Sequence, residues 1–255
     1  MATYSSPTAS ATTALVTGAA GHLGSAITRL LVGRAITVAV NDVDATAARR
    51  LVESVDGAVP FIADVSLADE AVRLVTEVVE RLGPIDVLVN GVGVEGPLGA
   101  VEEIRPNDVR RAFEVNVMSM FWLCRAIVGG MKRRGRGRII NVASGAGLAG
   151  GALASPYHAS KHAVVGLTRS LARELGPHQI PVNAVCPGYV ESPMVDRILD
   201  AETALTGERA DVVATIPMAR MASADEVAAT VAFLALDAPS YLTGQCVVID
   251  GGLRA

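Results

Sequence analysis

Four short apolar runs, each followed by a helix-length stretch and joined by tight loops, constrain this chain most. They are Ala14-Leu-Val-Thr17, Ile36–Val40, Val59–Ile62 and Ile85–Val89. Between them lie an amphipathic stretch from about Leu23 to Val32, a second after Asp44, and a third from Leu67 to Arg81. The third is apolar at Val72, Val75 and Val79 and is stopped by Gly83-Pro84. Strand, helix, strand with loops this short leaves no room for hairpins, so the strands must run parallel with helices as crossovers. Later strand-like runs at 138–143, 181–185 and 245–249 bring the total to seven. The expected fold is α/β: a doubly wound parallel sheet of seven strands with helices on both faces. At 255 residues it forms a single domain spanning 12–255.

In such a sheet ligands collect at the carboxyl ends of the strands. The first strand runs into Gly18-Ala-Ala-Gly21-His22-Leu23-Gly24 and then a helix, the setting in which a helix N-terminus accepts a pyrophosphate. Asp42 follows the second strand, 24 positions after Gly18, at the distance of a carboxylate that binds ribose hydroxyls. It could equally cap the helix that begins near Asp44. A carboxylate there repels a 2′-phosphate, and no Arg or Lys stands at 41, 43 or in the glycine loop, so NAD is expected over NADP. Asp64 falls at another strand end, either facing an adenine amino group or serving as a turn residue. Asn90 ends the fourth strand.

The second half supplies the chemistry. Tyr157 and Lys161 are one helical turn apart, so they share a face, and Ser144 stands 13 positions upstream at the end of the fifth strand. A phenol has an ordinary pKa near 10, and an ammonium about 5 Å away stabilises its anion by roughly 3 kcal/mol, about 2 pKa units. Tyr157 is therefore expected to exchange protons near neutral pH, with Ser144 holding the same substrate oxygen. Of 22 basic residues only two are Lys, so a Lys at 161 suggests a task for a compact ammonium of tunable pKa. Asn116 lies inside an apolar helix expected from Pro106 to about Arg133; alone it reads as a satisfied core amide. The cluster Lys132, Arg133, Arg134, Arg136 and Arg138 reads as a solvated loop, or else as a docking site for an acidic carrier. The stretch 145–155, with four Gly, four Ala and no charge, reads as a flexible wall of an apolar pocket.

Together these residues identify the chain as resembling the short-chain dehydrogenase/reductase family over 12–252. The resemblance rests on Thr17-Gly18 with Gly24, Asp64-Val65, Asn90, Asn116, Ser144, Tyr157, Lys161 and Pro187-Gly188. It implies a Rossmann-like domain with Tyr157 as general acid/base and Ser144 orienting the carbonyl or alcohol. Lys161 would also bind the nicotinamide ribose, and Asn116 would hold a water that relays protons. The implied cofactor contacts are Gly18, Gly21, His22, Leu23, Asp42, Val43, Asp64, Val65, Asn90, Gly91, Tyr157, Lys161, Pro187, Gly188, Val190 and Ser192. Residues 189–215 would form the substrate lid. Two positions depart from the usual pattern: His22 replaces a glycine of the phosphate loop, and Asn90-Gly91-Val92-Gly93 stands where Asn-Asn-Ala-Gly is usual.

The expected activity is NAD-dependent interconversion of a secondary alcohol and a ketone. A 3-oxoacyl-carrier-protein reductase using NADPH, a cofactor-binding scaffold and a sugar-nucleotide epimerase are the alternatives. Chain length argues against the last, which needs an extra substrate domain. Net charge of −4 gives no reason to expect nucleic acid, and no apolar run of 18 residues indicates a membrane span. Residues 1–11 read as a disordered tail. Three isolated Cys without metal spacing suit reduced thiols in a cytoplasm. A homotetramer is expected by resemblance.

Overall fold

A computed structural model describes residues 12–255, so the expected tail at 1–11 lies outside the described residues. Strands β1 (Thr13–Thr17), β2 (Thr37–Asp42), β3 (Ala58–Ile62), β4 (Ile85–Asn90), β5 (Arg138–Val142), β6 (Val182–Pro187) and β7 (Cys246–Ile249) form one sheet. Its order is β3-β2-β1-β4-β5-β6-β7, and every pairing is parallel. The crossovers are α1 (His22–Gly33), α2 (Ala45–Glu53), α3 (Ala68–Leu82), α4 (Pro106–Phe113), α5 (Ser119–Arg134), α6 (Ser155–Leu175), α7 (Pro193–Thr206) and α8 (Ala224–Ala232).

Strand side chains alternate between two cores, as the period of two demands. Ala14, Val16, Val38 and Val40 face Ile27 and Leu31 of α1, Leu51 of α2 and Val227 of α8. Leu15, Ala39, Leu88 and Ile139 face Leu74 and Val78 of α3, Leu123 and Ile127 of α5, and Leu175 of α6. With both faces covered, the strands are mostly apolar on both sides.

The long helix expected from Pro106 is continuous to Arg134, but a π turn at Glu114–Met118 separates α4 from α5. Asn116 sits within that turn. The run of 29 residues is apolar and long enough to cross a membrane. Here Leu123, Cys124, Ile127 and Met131 pack it into the domain core instead.

A polar seam crosses the second core. Asn90 donates to Asn141 Oδ1 (2.8 Å), Asn141 donates to Thr168 Oγ1 (2.9 Å), and Thr168 donates to the Val164 carbonyl (2.8 Å). All three side chains are fully buried, so each hydrogen bond is needed to offset desolvation. Asn90 is thus turned into the core between β4 and β5. Its side chain is spent on Asn141, so a contact to cofactor at this position would have to come from the backbone.

The basic cluster is solvent-exposed at Arg133, Arg134 and Arg136, as the loop reading expects, and most of its cations also have partners. Arg136 pairs with Asp86 (2.9 Å), Arg134 donates to the Ile85 carbonyl (2.7 Å), Arg138 donates to the Leu234 carbonyl (3.2 Å) and Lys132 pairs with Glu174 (3.0 Å). These cations brace the amino-terminal edge of the sheet. The segment 145–155 is packed at its start, where Gly145, Ala146 and Gly147 are buried, and exposed at Gly150, Gly151 and Ala152. A Cβ on Gly147 would lie 2.6 Å from the Lys161 carbonyl oxygen, and His158 Nδ1 lies 2.6 Å from the Ala149 carbonyl oxygen. The lid region, expected to lack a strand, makes a single bridge between Val190 and Ala222 before α7 begins.

Replacing Asn141 by Leu keeps volume but strands the Asn90 amide. A loss of about 2–3 kcal/mol is expected, seen as a melting temperature lower by roughly 5–10 °C in a thermal denaturation scan.

Candidate active site

The sheet reverses direction of winding between β1 and β4, and the loops leaving those two strands diverge there. They remain in backbone contact at their roots. A Cβ on Gly18, whose φ is +62°, would come within 2.8 Å of the Val92 Cα, and one on Gly91 within 2.7 Å of the Thr17 carbonyl oxygen. Thr17 Oγ1 accepts the Gly91 N–H at 3.2 Å, joining the two loops. Gly24 is tighter still: a Cβ there would lie 2.1 Å from the Gly18 carbonyl oxygen. The glycine spacing therefore reflects close approach, and His22 replaces a glycine at an exposed position where no such approach is required.

Helix α1 begins at Gly21 with no side-chain cap and no acid in its first turn. Its first N–H groups are left for a ligand, and the dipole favours an anion. Asp42, at the end of β2, accepts the Ala20 N–H through Oδ2 (3.0 Å) and the Asp44 N–H through Oδ1 (3.1 Å). Asp44, not Asp42, caps α2 by accepting from Thr46 and Ala47, so the capping alternative for Asp42 is removed. The fully buried Asn41 donates to the Phe61 and Ala63 carbonyls, both at 3.2 Å, and anchors that strand end. The uncapped helix, the glycine cradle and the ribose-height carboxylate fit a dinucleotide.

At the end of β3, burial would raise the Asp64 carboxyl. Hydrogen bonds from Ser66 and the charge of Arg111 outweigh it and hold Asp64 below the ordinary carboxylate value. Asp64 Oδ1 accepts both the Ser66 N–H (3.0 Å) and hydroxyl (2.6 Å), while Arg111 stands 3.6 Å from Oδ2. Turn residue and groove-edge carboxylate are thus the same side chain. Arg111, reaching in from α4, has no local sequence signal. Val65 is buried in the core and Val43 is exposed, so the side chain of Val65 is turned away from any groove. On the far side, Gly188 donates to the Ile249 carbonyl (2.9 Å) and has no space for a Cβ beside Asp250. Val190 is nearly buried, and Ser192 caps α7 by accepting the Val195 N–H at 3.3 Å.

Ser144, Tyr157 and Lys161 converge at the carboxyl end of β5. Lys161 is 4% exposed and donates to the Val142 carbonyl at 3.0 Å. Its Nζ lies 5.8 Å from the Tyr157 ring centre. Burial lowers its pKa to about 8, partly countered by the Cys186 thiol. The expectation of a lowered Tyr157 is corrected. Burial raises the phenol above its ordinary value, the Ser144 hydroxyl lowers it, and the negative charge of Glu95 adds to the rise. Desolvation of a phenolate here exceeds what the Ser144 hydrogen bond returns.

The Asn116 amide is fully committed to protein. Its Oδ1 accepts the Val94 N–H (2.8 Å), and its Nδ2 donates to the Val94 carbonyl (2.9 Å) and to Ser160 Oγ (3.0 Å). Ser160 in turn donates to the Tyr157 carbonyl (2.8 Å). This is the core-amide arrangement, and both donors of the side chain are taken. Glu95, the next residue after Val94, pairs with Arg197 of α7. Sequence reasoning missed it, although it is the lone charge between Asp86 and Glu102.

Comparison with known proteins gives a consistent picture. The profile of a family described as Enoyl-(Acyl carrier protein) reductase matches residues 18–254. A 3-oxoacyl-[acyl-carrier-protein] reductase of Thermotoga maritima is 36% identical over 245 residues, covering 94% of this chain and 96% of the relative. An acetoacetyl-CoA reductase of Allochromatium vinosum is 38% identical over 247 residues, covering 94% and 97%. A variant of the actinorhodin polyketide ketoreductase, solved with NADPH, superposes with a TM-score of 0.91 at 36% identity. That match covers 95% of this chain and 97% of the other.

Substituting Ala for Gly24 forces a methyl into the Gly18 backbone. Affinity for nicotinamide dinucleotide, followed by fluorescence titration, is expected to fall at least tenfold, about 1.4 kcal/mol, as the phosphate loop shifts.

Proposed function

This chain belongs to the short-chain dehydrogenase/reductase family, and from that premise we propose that it is an NAD(H)-linked ketoreductase acting on 3-oxoacyl substrates. The reductase names of its relatives support the ketone and acyl parts of this reading. The Tyr157 phenol, held beside Ser144, is protonated at neutral pH and so placed to give a proton to a forming alcohol.

The cofactor, when bound, supplies or takes up hydride. The chain does the rest. The α1 N-terminus and Gly18 would hold the pyrophosphate, and Asp42 the adenosine ribose. Ser144 would donate a hydrogen bond to the substrate oxygen, and Tyr157 would protonate it. Lys161, with its proton held at a pKa of about 8, would return charge to that pair within the physiological range. A relayed water, if Asn116 positions one, would have to use the backbone of the π turn, since both side-chain donors are already engaged.

The observation that carries the cofactor preference is Asp42, tied to the glycine loop through Ala20 at 3.0 Å. A 2′-phosphate would meet that carboxylate with no cation at 41 or 43. The NADPH-bound relative favours the opposite choice, and the two readings separate in one assay. Three free cysteines suit a reducing cytoplasm. Phe121 on α5 and Val248 on β7, both exposed apolar residues, suit burial in a homotetramer.

With acetoacetyl-CoA as substrate, kcat/KM for NADH should exceed that for NADPH by about tenfold or more, and Asp42→Ser should narrow the gap by roughly 1–2 kcal/mol. A strong NADPH preference in the unaltered protein overturns the assignment. Tyr157→Phe should leave NADH affinity within about twofold and lower kcat by roughly 100-fold or more in the same assay.

A further inference from the structure

One ion pair joins the loop after β4 to the helix that starts the lid. Arg197 Nε lies 2.7 Å from Glu95 Oε1 and Nη2 lies 3.3 Å from Oε2, a two-point contact across 102 positions of sequence. The Glu95 side chain is 23% exposed and that of Arg197 58%, so the carboxylate end of the pair is shielded while the guanidinium end stays open to water. Burial would raise the Glu95 carboxyl, yet Arg197 and the residue's own N–H hold it below the ordinary value.

The loop that presents Glu95 is itself held. Asn116 grips Val94 by both its N–H and its carbonyl, and through Ser160 it is tied to the backbone of Tyr157. A connected strut therefore runs from α6 through Asn116 and Val94 to Glu95, and from there to α7. Four groups lie around the Tyr157 phenol. Glu95 comes from the loop after β4 and Ser144 from the loop after β5. Lys161 lies on α6 with its Nζ 5.8 Å from the ring centre, and His158 lies beside it with ring centres 6.3 Å apart.

We propose that Glu95 and Arg197 form a clasp that holds α7 over the substrate cleft, and that both are positioning residues for the ketone reduction. The proposal rests on the ketoreductase reading above. Neither residue has to touch the reacting atoms. Glu95 acts through the placement of α7 and through its charge near Tyr157, and Arg197 acts by holding and neutralising Glu95. An ordinary surface bridge would do neither.

The two roles leave different signs. Glu95→Gln removes a negative charge facing the phenol, so the Tyr157 limb of the pH–kcat/KM profile should move to lower pH. Arg197→Met leaves that charge unneutralised, so the limb should move to higher pH. Each shift is expected to be roughly half a pH unit to one unit. Both single variants should raise the KM for acetoacetyl-CoA about tenfold, with NADH affinity unchanged. The reversed pair, Glu95→Arg with Arg197→Glu, should recover most of the KM.

Amide hydrogen exchange across 193–206 should speed up in both single variants with no substrate present. Exchange and KM that stay at wild-type values overturn the clasp. Limbs that move in the same direction overturn the electrostatic part of the positioning role. If the unaltered protein reduces no 3-oxoacyl substrate, the ketoreductase reading fails, while the exchange measurement still decides whether the clasp exists.

Discussion

Everything at the site depends on how closely the loops after β1 and β4 approach at the switch point. Gly18 against Val92 and Gly91 against Thr17 leave no room for a Cβ. That contact holds the roots of two diverging loops together and lets a groove open above them. The α1 N-terminus, Asp42 and Asp64 then line one side. Gly188 and the α7 cap lie on the other, with Ser144, Tyr157 and Lys161 at the floor. The parallel sheet matters to function mainly because it delivers all these loops to one edge.

Desolvation, more than charge pairing, sets the electrostatics at that floor. Lys161 is drawn down toward about 8 because it is buried beneath the Val142 carbonyl, and Tyr157 is pushed up for the same reason. The two shifts separate an amine and a phenol that are nearly equal in proton affinity in water, so the Lys161 ammonium gives up its proton more readily than the Tyr157 phenol does. The bound nicotinamide would enter a site already biased in this way. Glu95 adds a negative charge that Arg197 offsets, so the pair also limits how far the phenol is driven.

The legible part of the chain was the part where residue type and spacing are local. The seven parallel strands followed from apolar runs and short connections. The glycines, Asp42, Ser144, Tyr157 and Lys161 stood out because one turn of helix or one strand end carries each signal. The direction of the Asn90 side chain was not legible, because a polar residue at a strand end looks the same whether it faces a groove or Asn141 in the core. The partners of the basic cluster were not legible for a related reason: Asp86, Glu174 and the carbonyls of Ile85 and Leu234 are distant in sequence.

By itself the sequence determined the layered α/β architecture and brought Ser144, Tyr157 and Lys161 forward as one candidate trio, since period, turn chemistry and helical spacing act within a few residues. Tertiary structure alone decided where the Asn116 amide spends its hydrogen bonds, which way the Tyr157 pKa moves, and that Glu95 meets Arg197. Those outcomes depend on burial and on partners 22 to 102 positions away, and neither solvent exclusion nor long-range contact is written in any local stretch of chain.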